Sequence, residues 1–335
     1  MTTYIIRASY ANQYELQNYE PLANKHNIKV ITSHHPLTTT AIPIVKLWSP
    51  TDIPYFPYRR QILNRLIGGQ QWLLSLEKLV KNDDILHTAE TYTPYTHQAV
   101  LLRKHNKIKK LVCTCWETIP HNNEKFVRLR DWKKDAYKYV DIFHTPTIIA
   151  KNALIKEGVD ASKIKVINYG VDLTRFKPIS KRNFSPKPVV LTVARKVMEK
   201  GLGIWEKLRD ELSKIATFKW VDSLSYEKII KEYQKADIFL LPSICTSTWE
   251  EQYGMALVEA MATGMPIITT NTGAIPEVVG NAAILSSPDY NTIKSKLKEL
   301  INSPSMIKKY QKLSQTRAKF HYDRNIQSQK LAGLY

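Results

Sequence analysis

The chain is poor in cysteine, glycine and acidic side chains, and no apolar run reaches membrane-spanning length. Its three cysteines, Cys113, Cys115 and Cys245, show no framework spacing, which excludes a disulfide scaffold and fits a reducing compartment. Cys113 and Cys115 lie in KLVCTC and share one strand face, so they read as core thiols, and His121 nearby does not turn them into a metal site. About 18 uninterrupted apolar residues would be needed for a spanning helix, and MTTYIIRASY turns polar too early for a secretory leader. The expectation is a soluble cytoplasmic protein.

Against 49 Lys and Arg stand only 30 Asp and Glu, a formal charge of +19. Such a field attracts polyanions of several kinds (nucleic acid, an anionic membrane, phosphorylated substrates) without choosing among them. Up to Pro178 there are 26 cations and 15 anions, a net of +11 that leaves +8 for the rest, so the charge is spread over folded surface rather than gathered in a tail. At 335 residues and 43% apolar composition, the chain is long enough for two α/β cores of about 150 residues each.

Short β-rich runs alternate with longer amphipathic ones through the first half: YIIRASY, IKVITS, IPIVKLW, DDILHT, KLVCTC, DIFHTP and KIKVIN. Around residues 168–188 the periodicity fails and Pro, Gly, Asn and Ser accumulate, which marks a linker. The alternation restarts with PVVLTVAR, ATFKWV, ADIFLLPS, MPIITT and AAILSS, which read as buried strands. Two doubly wound parallel sheets in tandem follow, and ligands of such sheets bind beyond the carboxyl ends of the strands.

Two stretches place chemistry there. After LTVAR comes KVMEKG, which puts Arg195 at a strand end and Lys200 at the opening of the next helix. Further on, PSICTSTWEEQYGMALVEAMATG gives a polar loop and a helix from about Gly254 to Thr263. The amides near Gly254, Met255 and Ala256 would offer unpaired donors and a positive helix end to a diphosphate, with Arg195 and Lys200 as countercharge and no metal required. Glu251 and Glu259 bracket the loop-to-helix transition, so one can reach a sugar and the other a ribose. A hydrolase acid and nucleophile pair is the weaker reading of these two carboxylates.

ARKVMEKG, PS, EEQYGMALVEAMATGMPIITTNTGAIPEVV and the linker NYGVDLTRFKP together resemble the signature set of the retaining glycosyltransferases of family four (glycosyl transferases group 1), strongly over residues 165–290 and weakly before residue 110. The resemblance implies a GT-B fold: two Rossmann-like doubly wound domains facing a cleft, with a C-terminal helix crossing back to the N-domain. It implies an acceptor domain at 1–170, a nucleotide-sugar-binding domain at 171–318 and a returning helix at 319–335. Glu251 and Glu259 would then be the ends of the family's E-x7-E motif, with Arg195 and Lys200 its diphosphate-binding pair. Transfer would be metal-independent and retain configuration at the anomeric carbon, by front-face attack with the leaving phosphate as base.

Two departures stand out. The segment ASYANQYELQNYEPL carries no glycine where members often have a Gly-rich loop after the first strand. Where many have a His after the strand matching KLVCTC, this chain has Trp116 and Glu117, and Glu117 is the substitute candidate. Acceptor-side candidates are therefore Trp116, Glu117 and His87, although for His87, as for Glu90 and His144, a satisfied structural role is the leading expectation.

The basic stretch EKFVRLRDWKKDAYKYV could lie on an anionic membrane, but an apolar stripe packed on the sheet is favoured. The resemblance and the residues together imply a transferase moving a sugar from a nucleoside-diphosphate sugar to an unidentified glycan, lipid-linked or protein acceptor, with no cofactor, in the cytoplasm and with peripheral attachment at the inner membrane face left open. The rivals are a catalytically silent nucleotide-sugar binder and, last, a nucleic-acid-binding protein, for which there is no reader motif and no stripe of alternating aromatic and basic residues.

Overall fold

The computed structural model describes all residues except 24, 39 and 179–185. The chain forms two compact units, one of Met1–Tyr169 with Asn325–Tyr335, the other of Gly170–Arg324. All twelve β-rich runs of the sequence are strands.

In the first unit these are β1 (Thr3–Ile6), β2 (Ile28–Thr32), β3 (Ile44–Lys46), β4 (Ile85–Ala89), β5 (Lys110–Thr114), β6 (Ile142–Thr145) and β7 (Ile164–Val166). They pair in parallel in the order β3-β2-β1-β4-β5-β6-β7. Helices on the faces cover such a sheet, which is why its strands are continuous apolar runs rather than alternating ones. Ile6, Ile31, Leu86, Leu111 and Phe143 are fully buried in its core, each buried aliphatic side chain contributing about 1.5–3 kcal/mol. Three helices of this unit matter below: α1 (Arg59–Ile67), α2 (Pro94–Lys104) and α3 (Val127–Tyr139).

The second unit holds β8 (Val189–Val193), β9 (Thr217–Val221), β10 (Ile238–Leu241), β11 (Ile267–Thr270) and β12 (Ile284–Ser286), parallel and in the order β12-β11-β10-β8-β9. Around them lie α4 (Leu202–Leu212), α5 (Tyr226–Lys235), α6 (Met255–Ala262) and α7 (Pro304–His321). Both sheets reverse their strand order once, between β1 and β4 in the first and between β8 and β10 in the second. Ligand crevices form beyond the carboxyl ends at such switch points.

The joints differ in detail from the sequence expectation. The chain passes into the second unit at Gly170, and the expected linker at 168–188 includes 179–185, which lie outside the described residues. The returning segment starts at Asn325 rather than Lys319, because α7 runs on to His321 and Ser314 within it donates to the carbonyls of Met265 and Ala282. The last helix is α8 (Arg324–Ala332). Val171 and Asp323 form a parallel bridge, and a side chain at Gly170 would stand 2.5 Å from the Tyr322 carbonyl oxygen, so the outgoing and incoming strands run in backbone contact. Among the described residues no helix is long and apolar enough to cross a membrane.

Candidate active site

At the second sheet's switch point, the loop after β8 carries Arg195, exposed just past the strand, and ends in a short turn, Met198–Lys200. Gly201 follows at φ 77°, and a Cβ there would lie 1.9 Å from the Pro242 carbonyl oxygen, so only glycine lets this loop press against the end of β10. That contact sets Lys200 beside the loop after β10. Lys200 Nζ donates to Glu251 Oε2 at 2.6 Å, Ser243 Oγ donates to the same oxygen at 3.1 Å, and the ammonium also lies 5.0 Å from the centre of the Trp249 ring. Gly273, at φ 52°, backs Glu251 from the other side, where a Cβ would stand 2.3 Å from the Glu251 carbonyl oxygen. Glycine thus packs the carboxylate's backbone between the ends of β10 and β11.

Gly254, in the left-handed region, starts α6, and the amides of Met255 and Ala256 open its first turn, ahead of any intrahelical acceptor. Glu259 lies one turn further along, 2% exposed. Its Oε2 accepts from Tyr233 of α5 at 2.7 Å, while its Oε1 is buried without a partner. Burial pushes the Glu259 carboxyl up to about 8, and the Tyr233 bond offsets that only in part. A buried acceptor with no donor is costly unless something supplies one, and a sugar hydroxyl would.

The structure therefore brings Lys200 and Glu251 into direct contact, seats Glu259 separately on α6 against Tyr233 of α5, and leaves Arg195 unlinked to them by any described bond. Sequence reading missed Ser243, Trp249 and Tyr233. Ser243 lay in the quoted PS pair without a role, and Tyr233 reads as an ordinary apolar position of an amphipathic helix.

The first unit's candidates fare differently. His87 is fully buried inside β4, not at its end: Nδ1 pairs with the Tyr335 hydroxyl at 2.7 Å and Nε2 with Thr114 Oγ1 at 2.7 Å, so it offers an acceptor nothing. Thr114 also bonds His144 Nδ1 at 2.9 Å, and His144 Nε2 bonds the Ile167 carbonyl at 2.8 Å. Burial holds His144 down to about 4 and His87 well below the usual range, so both rings are neutral. The carbonyl can only accept, which fixes the rest: Tyr335 donates to His87, His87 to Thr114, Thr114 to His144, and His144 to Ile167.

Glu117 is no substitute for the missing histidine, because its oxygens accept from the amides of Thr118 and Ile119 and from the side chains of Asn122 and Asn123, all within its own loop. Trp116 stacks on Tyr169 at 4.8 Å, and its amide donates to Glu90. Glu90 follows β4 with φ 61°, unusual for a side-chain-bearing residue, and loss of hydration pushes its carboxyl to about 8. Cys113 and Cys115 are buried thiols 3.8 Å apart. His121, Glu124 and Glu157 come close enough to surround a cation, but the Lys133 ammonium already occupies that role, 2.9 Å from Glu124 and 2.6 Å from Glu157.

The Gly-rich loop absent after β1 has a counterpart. Ala8, fully buried, takes φ 47°, and beside it Arg7, 1% exposed, forks onto Glu15 at 2.5–3.0 Å while its Nη1 donates to the carbonyls of Ile6 and His87. Tyr169 donates to Glu15 and pairs with Tyr19. A buried ion pair fills the first sheet's switch point.

Residues 205–320 match the family model described as glycosyl transferases group 1, and residues 20–175 match Glycosyltransferase Family 4. Among curated relatives, the sulfoquinovosyl transferase SQD2 of Arabidopsis thaliana is 25% identical over 202 residues, half of this chain and 39% of the relative's length. The putative colanic acid biosynthesis glycosyltransferase WcaL of Escherichia coli K12 is 30% identical over 155 residues, 38% of either protein. The chain thus aligns with about two fifths of these relatives. Likeness of fold extends further: Anabaena HepE, solved in complex with UDP and glucose, superposes with a TM-score of 0.75 at 17% identity over 99% of this chain and 98% of that one. Sucrose-phosphate synthase from Thermosynechococcus elongatus gives 0.73 at 16% over 100% and 98%. With a family model on each of its two sheets and this fold over nearly its whole length, the chain belongs to the group 1, family four glycosyltransferases of the GT-B fold.

Proposed function

We propose that the chain transfers a sugar, with retention and without a metal, from a nucleoside-diphosphate sugar held by the second unit. The observation that carries this reading is the pairing, at one sheet edge, of an anchored cation with an unfilled acceptor: Lys200 beside Glu251, and the orphaned Oε1 of Glu259 one turn into the helix that Gly254 opens. In this reading the diphosphate lies against the amides of Met255 and Ala256 and takes its countercharge from Lys200 and Arg195, which stabilise the charge that grows as the phosphate leaves. Glu251, buried and already oriented by Ser243, accepts from the sugar's hydroxyls, and Glu259 Oε1 accepts from the ribose. HepE has been solved in complex with UDP and glucose and with UDP-glucose, which makes UDP the first nucleotide to try.

The test is a thermal shift of the full chain against nucleoside diphosphates and their sugars at millimolar concentration. A ligand at about 100 times its Kd adds about 2.7 kcal/mol to the folded state, so binding is visible without an acceptor. The expected result is a shift with one base that Lys200→Ala and Glu259→Ala each cut to about half or less. No shift with any nucleotide, in folded protein, overturns the reading; a shift without turnover on any acceptor reduces it to a binder.

A further inference from the structure

Helix α1 is exceptional in the first unit because none of its nine residues is buried. It nevertheless carries Ile62, Leu66 and Ile67, all exposed, and follows Tyr55, Phe56 and Tyr58, also exposed. Leu66 is 65% accessible and Tyr55 81%. From Ile53 to Gly69 the sequence has three arginines, Arg59, Arg60 and Arg65, and no acidic residue. The start of α3 repeats this chemistry with exposed Phe126 and Val127 beside Arg128 and Arg130. Arg128 Nη1 donates to the Leu66 carbonyl at 2.8 Å, which joins the two patches into one surface. Farther along α3, Trp132 and Ala136 pack inward, in keeping with the favoured reading of this basic stretch, and only its first turn contributes to this surface.

Behind α1 opens a cavity of about 620 Å³, within the range of ligand pockets, lined by Trp48, Leu66, Trp72, Leu74 and Trp132. His97 stacks on Trp132 at 4.5 Å within it. Past Trp72, Glu77 and Gln98, which line both, a second cavity of about 380 Å³ continues to Leu101 and Leu102. The two together follow α2, an 11-residue helix about 16 Å long. Elongated and mostly apolar, with Arg128 and the rings of Trp48, Trp72 and Trp132 in its lining, this is the form of a site for a chain molecule with an anionic head.

We propose that the first unit docks on an anionic lipid bilayer through α1 and the first turn of α3, and that the groove along α2 takes the hydrocarbon chain of a lipid from that bilayer. The apolar residues enter the headgroup boundary, the tyrosines lie at its polar level, and each arginine near the surface contributes about fivefold to binding. Glu77 is the acidic residue lining the groove, and it lies behind the arginines rather than among them in sequence. The inference uses the first unit alone and is independent of the donor site.

The test is sedimentation of the full chain, without nucleotide, on phosphatidylcholine vesicles with or without a quarter of phosphatidylglycerol at low salt. Binding is expected to be at least tenfold tighter to the anionic vesicles, to be lost in Leu66→Asp/Val127→Asp, and to weaken in Arg60→Ala/Arg65→Ala. These side chains are exposed, so each variant should melt like the wild type. Brominated acyl chains are expected to quench tryptophan fluorescence, and Trp72→Phe to remove part of the quenching. Equal binding to neutral vesicles, unchanged binding by the aspartate variant, or bound protein that bromine does not quench would each overturn the proposal. Because no nucleotide is present, these outcomes leave the donor reading untouched, and a failure of nucleotide binding leaves this one untouched.

Discussion

The two sheets reverse strand order in the same way, yet their switch points have opposite contents. Beyond β1 and β4, Arg7, Glu15, Tyr169, Tyr19, His87, Thr114, His144 and Tyr335 satisfy one another, and burial with completed hydrogen bonds leaves no invitation for a ligand. Beyond β8 and β10, Lys200 is paired with the buried Glu251, and Glu259 keeps one oxygen empty. One topology provides the place at both edges; what is left unsatisfied there decides whether it holds a ligand or holds itself.

The sharpest way to break this comparison is at Arg7. Arg7→Met strands Glu15 in the interior and should cost about 3–5 kcal/mol in urea denaturation, while Arg7→Met/Glu15→Leu should recover most of it. If Arg7→Met instead weakened nucleotide binding at unchanged stability, the first edge would be a ligand site after all. At the second edge the expectation reverses: Lys200→Ala should lose about 1.5–3 kcal/mol of nucleotide affinity, roughly 10- to 150-fold by titration, with a smaller change in the unliganded melt.

Glu259 sharpens the contrast through pH. Its folded-state pKa is raised from 4.5 to about 8, so between those values the folded protein holds a proton that the unfolded chain has released. Stability therefore falls as pH rises through that window, by roughly 2 kcal/mol from pH 6 to pH 8, and Glu259→Gln should flatten the melting profile over that range. A wild-type profile already flat there would mean that the empty oxygen is hydrated. The smallest effect is expected at Ala8, where glycine suits the left-handed backbone better: Ala8→Gly should raise stability by up to about 1 kcal/mol, and a loss would show that the methyl's packing outweighs the strain.

Local pattern made the strands legible, because a buried parallel strand must be a short apolar run and the helices between must be amphipathic. The arrangement at the second edge was legible for a related reason: Lys200, Glu251, Gly254 and Glu259 are close in sequence to the strand ends that position them. What escaped was long-range. The partner of His87 is Tyr335, 248 residues away, and nothing near His87 distinguishes a satisfied ring from an available one. Arg7 after an apolar run reads as surface until Glu15 is folded over it. Glu117 looked available because its acceptor load comes from a loop whose turns the sequence does not announce. Helix α1 was overlooked for the opposite reason, since a helical apolar stripe implies a buried face, and here no face is buried.

The bridge between Val171 and Asp323 also bears on how the protein is made. In chain order the second unit is an insertion: residues 170–324 are complete before residues 325–335, which belong to the first unit, are added. At about 5–20 residues per second that is roughly 8–30 s during which the first sheet exists without α8 and without the Tyr335 hydroxyl that begins the donor series through His87 and Thr114. The second unit is contiguous in the chain and closes on its own residues; the first is complete only once residues 325–335 have been added.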